Sequence, residues 1–163
     1  MIIRKEYNGG LKGFLERFRD IGKPKVYIGV PSGGSRKKRR KDKLTIIANK
    51  YATNNATILA AHELGAPSRG IPARPVLVPT IQKNSQKYVD LMAQGIKNAL
   101  ADGADPNIVY EKIGIVASND VKDYFVSGSF KPLDQKTIDR KGSSKPLIDT
   151  GELRNSITYE VRK

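Results

Sequence analysis

The chain has 163 residues, 38% of them hydrophobic and 28% charged, with no cysteine and a formal net charge of +14. That length suits one domain with a core of its own, and the absence of cysteine excludes a disulfide framework and thiolate metal sites, as suits a reducing cytoplasm. Apolar runs such as LTII and TILAA fall far short of the roughly 20 residues of a membrane helix, and MIIRKEYNGG lacks the apolar centre of a signal peptide.

In chain order, Leu11, Phe14, Leu15, Phe18 and Ile21 recur at three- and four-residue spacing, which predicts an amphipathic helix closed by Gly22. KVYIGV follows as a strand with Val26, Ile28 and Val30 on one face, stopped by Pro31 and the Gly33–Gly34 pair. Next comes SRKKRRKDK, Ser35 to Lys43, with seven basic residues and one acidic. It supplies +6 of the net charge, so the rest of the chain still carries +8. Such a field favours polyanions, and phosphate contact independent of base sequence is its simplest use. LTIIANKYA reads as a strand or the start of a helix, and residues 32–52 together as a basic loop insertion.

Thr53 and Asn54 resemble an N-cap for NATILAAHEL, with Gly65 as its stop. In GAPSRGIPARPVLVPTI the prolines at 72, 75 and 79 remove amide donors and restrict their neighbours, which predicts a stiff, extended connector. A long helix is expected from Pro79, its apolar side made of Ile81, Tyr88, Leu91, Met92, Ile96 and Leu100. DGADP interrupts it, and Asp105–Pro106 restarts a helix with Val109, Ile113, Val116, Ala117, Val121 and Tyr124 at helical spacing, closed by Gly128. These periodic positions read as core, and small residues such as Gly95, Ala99 and Ala101 permit close backbone approach to another subunit. In the tail, DTGEL begins a short helical turn and SITYEV alternates as a last strand, with Ile157, Tyr159 and Val161 pointing one way. Helices and strands mix without a βαβ repeat. The expectation is therefore α+β, a small mixed or antiparallel sheet packed against long helices, in a single domain spanning 1–163.

Catalytic patterns are missing from the sequence. GVPSGGSRK places Gly29 and Gly34 at P-loop spacing, but Ser35 and Arg36 stand where that loop needs lysine and a hydroxyl. His62 is the sole histidine, and HELGA lacks the second histidine of a zinc-protease helix, so a packing or hydrogen-bonding role is expected. No serine nucleophile sits in a recognisable elbow. No enzyme is expected, and neither catalytic, cofactor nor metal-binding residues are assigned.

Two stretches together, AAHELGAPSRGIPARPVLVPTI and KPLIDTGELRNSITYEV, resemble the tail-completion or virion-morphogenesis proteins of tailed bacteriophages. That family shows an H-E-hydrophobic-G turn, an I-P-A-R-P connector into a long helix, and a late P-L-hydrophobic-D-T-G-x-L-R-x-S-I segment entering a strand. Here these are His62 to Gly65, Ile71 to Pro75 and Pro146 to Ile157, within a likeness that spans roughly Val26 to Val161. The basic run and LTIIANKYA lengthen the segment before the His62 helix, so the likeness gives that segment no position.

The resemblance implies a non-catalytic α+β virion subunit, made in the host cytoplasm and placed at the neck between portal and tail. It implies self-association into a closed, sixfold ring, with adjacent neck, portal-adaptor, tail-terminator or tail-tube proteins as partners. Arg69, Pro72, Arg74, Pro75 and Arg154 are then the expected subunit or ring contacts, the IPARP arm being stiff and Arg74 offering a guanidinium fork to a neighbour's carboxylates. Arg36, Lys37, Lys38, Arg39, Arg40, Lys41 and Lys43 are the expected contacts to packaged DNA or to an acidic neighbouring ring, a modest attraction multiplied around the ring. The alternative reading is a free-standing basic protein that contacts nucleic acid through phosphates alone.

Overall fold

The computed structural model describes residues 10–31, 54–102, 104–142, 144–147 and 151–162. The elements are helix α1 (Leu11–Asp20), strand β1 (Lys25–Gly29), α2 (Asn55–Leu64), a 3-10 turn (Pro67–Arg69), α3 (Leu77–Lys83), α4 (Ser85–Ala101), α5 (Asn107–Ser127), α6 (Gln135–Lys141), α7 (Glu152–Asn155) and β2 (Thr158–Arg162). The fold is α+β: β1 and β2 form one two-stranded antiparallel sheet, and α5 packs against both strands. A pair of strands alone is marginal in water, so the helix is what makes the sheet stable.

Register follows from alternation. Val26 lies opposite Val161 and Ile28 opposite Tyr159, the half-buried positions of both strands. The outward positions carry Tyr27, with the Arg162 guanidinium 5.0 Å from its ring centroid, and Glu160, which pairs with Arg162 at 2.6 Å. Gly114 lets α5 lie close to the sheet, because any Cβ there would run into the Tyr159 ring.

The core has two buried clusters. Leu59, Val76, Val121, Phe125, Leu153 and Ile157 form the first, and Tyr88, Val109, Ile113 and Ala117 the second. Ile28 and Ile81 pack against both and join them. α5 contributes to each cluster and to the sheet contact, so it is the spine of the fold.

Local chemistry sets the element ends. Asn54 Oδ1 accepts from the Thr57 amide at 2.8 Å and caps α2. Gly65 ends it at φ +77°, and a Cβ there would stand 3.1 Å from the Ala73 amide nitrogen. The one long helix expected from Pro79 is instead two. It starts two residues earlier, at Leu77, and breaks at Asn84. There the Asn84 side chain donates to the Thr80 carbonyl and the Ser85 hydroxyl to that of Gln82, competing with the helical ladder. Asp105 Oδ1 accepts from the Asn107 amide and restarts the chain as α5. Gly128, which closes α5, has φ −70°; it is small to admit Phe130, whose ring would lie 2.6 Å from a Cβ and meets Tyr124 edge-on at 5.6 Å. α6 was not expected; Asp134 caps it by accepting from the Thr137 amide, and Gly142 ends it at φ +69°.

Candidate functional site

The HELG and IPARP segments close on each other as a clip. α2 delivers Glu63 to the start of α3, where its Oε2 accepts from the amides of Val76 (2.7 Å) and Leu77 (3.0 Å) and its Oε1 from that of Val78 (2.9 Å). The next residue, Pro79, has no amide hydrogen. A helix leaves four amide donors unsatisfied at its start; here one carboxylate answers three and proline removes the fourth. The same carboxylate sits at the positive end of the helix dipole.

The chain between the two halves of the clip is held by backbone bonds. Ala66 and Ile71 form an isolated antiparallel bridge across the 3-10 turn, with Gly70 in the left-handed region at φ +64°. The Arg74 amide then donates to the His62 carbonyl at 2.6 Å. Pro72 is half-buried and Pro75 exposed.

Arg74 departs from its expected role. Its side chain is buried, and its guanidinium donates from Nε to the Lys131 carbonyl (2.9 Å) and from NH2 to that of Pro132 (3.1 Å). Nε and NH2 are thus engaged within the chain, tying the arm to the segment after α5. Arg154 is likewise engaged. Its Nε donates to the Lys122 carbonyl at 2.8 Å and its NH2 lies 3.6 Å from the Asp123 carboxylate, which locks α7 against α5. Beside it Leu153 and Ile157 are buried in the first cluster together with Val76 from the other block and Leu59 just before that block. The two motif blocks therefore build one core.

Of the remaining expected contacts, Arg69 lies in the 3-10 turn. Pro72 and Arg74 line a surface depression of about 540 Å³ with Leu64, Ile71, Lys131 and Pro132, whereas Arg154 stands apart from it. Leu64 is 79% exposed and is the most solvent-facing large apolar side chain at this surface. The basic residues Arg36 to Lys41 and Lys43 lie outside the described residues.

Sequence reasoning missed the carboxylate clip, although its signal is present: a glutamate closing one helix and a proline at the third position of the helix it caps. It also missed that Leu91 faces solvent, 42% exposed, since apolar periodicity alone does not separate a buried side from a bare one. Elsewhere Asp120 collects Lys87 Nζ at 2.8 Å and the Tyr88 hydroxyl at 2.8 Å, joining α4 to α5. Burial, and then the Asp120 carboxylate, push the Tyr88 hydroxyl well above its ordinary range.

Among the described residues no group of three or more histidine, aspartate or glutamate side chains is placed to hold a metal, and no helix is long and apolar enough to cross a membrane. The chain matches no family model, no curated protein and no solved structure.

Proposed function

We propose that this protein is a structural subunit of a tailed-phage virion, of the tail-completion type, working as one copy in a closed ring at the head–tail junction. The observation that carries the reading is the pair of blocks HELG…IPARP and PLIDTGELRNSI in that order, with helices between them. Their internal roles fit a subunit whose motif residues fold it and whose remaining surface meets neighbours. The stiff arm, tied down by Arg74, gives such a surface a fixed shape, which lowers the ordering cost of association.

The basic run serves this reading as an accessory, attracting DNA phosphates or an acidic neighbouring ring. Particles assembled without the chain are the test. Heads and tails left unjoined are expected, and fully joined, infectious particles overturn the reading. Neutralising Arg36 to Lys41 with glutamine then separates assembly from DNA retention, and a variant normal in both removes the accessory role.

The +14 charge favours a second reading, a free-standing protein bound loosely to nucleic acid. It requires tight binding of short duplexes by the isolated chain, with log affinity falling steeply against log salt. The assembly reading requires weak binding in isolation.

A further inference from the structure

α5 carries apolar residues beyond its buried side as well as on it, among them the exposed Ile108, Ile115 and Val126. Three of its sides are covered. Gly114 meets the sheet, Val121 and Phe125 enter the first cluster, and Val109 lies against Gly95 of α4, where a Cβ would come within 2.8 Å of a valine methyl. Among the described residues the fourth side is uncovered. Ile108, Ile115 and Val126 lie along its middle, 42%, 47% and 58% exposed, and Glu111, Lys112, Asn119, Lys122 and Asp123 surround them. Between this stripe and α4 runs a groove of about 290 Å³, lined by Leu91, Gly95, Val109, Lys112, Ile115 and Val116 and almost wholly apolar. A cavity about half that size accepts benzene, so the groove holds two neighbouring apolar side chains, as one turn of a helix presents them.

Charge selects the occupant. Of the acidic residues of α5, Asp120 holds Lys87 and Tyr88, Asp123 lies 3.6 Å from Arg154, and Glu111 lies towards the sheet, where it raises the pKa of the Tyr159 hydroxyl. Among the described residues Lys112, in the groove, has no carboxylate partner. The charged side chain that lines the groove is thus positive. A second copy fits poorly, because the chain carries +14 and two copies repel.

We propose that the α4–α5 groove docks an amphipathic helix of a different protein, two apolar side chains filling it and an acidic flank pairing with Lys112. This extends the assembly reading by naming the chemistry of a partner, and the two fail separately, since the groove is tested on the isolated chain and the junction on particles.

The probe is a labelled 18-residue helical peptide with leucines at i and i+4 and glutamates on both flanks, beside a twin carrying lysines instead, titrated into the full chain by fluorescence anisotropy. The acidic peptide is expected to bind at least about tenfold more tightly than its twin, the scale of one charge pair made or opposed. Lys112→Glu is expected to reverse that preference. Ile115→Asp is expected to weaken the acidic peptide about tenfold while leaving thermal unfolding unchanged, because the side chain is half in solvent already. Equal binding of the two peptides, failure of both to bind, or an affinity indifferent to Ile115→Asp overturns the proposal. Concentration-dependent self-association abolished by Ile115→Asp also overturns it, since a second copy is then the occupant.

Discussion

Replacing Glu63 with alanine tests whether the clip organises the fold. The substitution strips acceptors from the amides of Val76, Leu77 and Val78 together. These three do not suffer equally. Val78 is 53% exposed and its amide turns to water, whereas Val76 is fully buried and its amide does not. Leaving one buried donor unsatisfied costs about 1–3 kcal/mol, and losing a helix cap adds about 1 kcal/mol. The expected total is about 2–4 kcal/mol, a large part of a typical domain's stability. Glu63→Gln is expected to fall between, since its single carbonyl oxygen cannot reproduce a carboxylate and its amide would point donors at a donor. Urea titration reads the free energy, with an unchanged slope against denaturant marking an intact end state. Hydrogen exchange reads the site, where the Val76 amide should lose protection first. A loss below about 0.5 kcal/mol, within the range of ordinary surface changes, would refute the clip as an organising contact.

Three further perturbations have expected outcomes. Arg74→Ala leaves the Lys131 and Pro132 carbonyls without their shared donor and should lower the melting temperature by about 4–12 °C, from about 2–3 kcal/mol at this chain length; Arg74→Lys should rescue little, because an ammonium lacks the fork. Gly114→Ala should destabilise by about 1–3 kcal/mol through overpacking against Tyr159, although alanine ordinarily favours a helix. The same change in a Tyr159→Ala background should cost much less, a coupling that a double-mutant cycle reads directly. Above pH 10, tyrosine ionises in the unfolded chain while buried Tyr88 beside Asp120 keeps its proton, so the folded state binds more protons and stability falls as pH rises. Urea titrations at pH 8 and pH 10.5 should show that fall, and Tyr88→Phe should show less of it.

Much of the architecture was legible because its signals are local. The Asn54 cap, the Gly65 stop, the alternation of KVYIG and TYEVR and the Asp105–Pro106 restart all act within a few residues. The pairing of residues 25–29 with 158–162 was not legible, since its partners are far apart in sequence. α6 was missed although Asp134 and Gly142 bracket it, because its few apolar residues give little periodicity. Arg74 was misread for a related reason. An arginine between prolines suggests a surface, and only the folded chain brings the carbonyls of Lys131 and Pro132 beneath it. Sequence alone records which side chains can donate, and the fold decides to whom.

Val30, just beyond β1, lines the same surface hollow as Ala56 and Leu59 from the first turns of α2. The described residues on either side of the densest block of positive charge therefore meet at neighbouring points of one surface. Closing a flexible chain between two such points costs only about 0.6 kcal/mol more for each doubling of its length, so residues inserted between positions 31 and 54 are expected to leave the packing of Val30 against Leu59 in place.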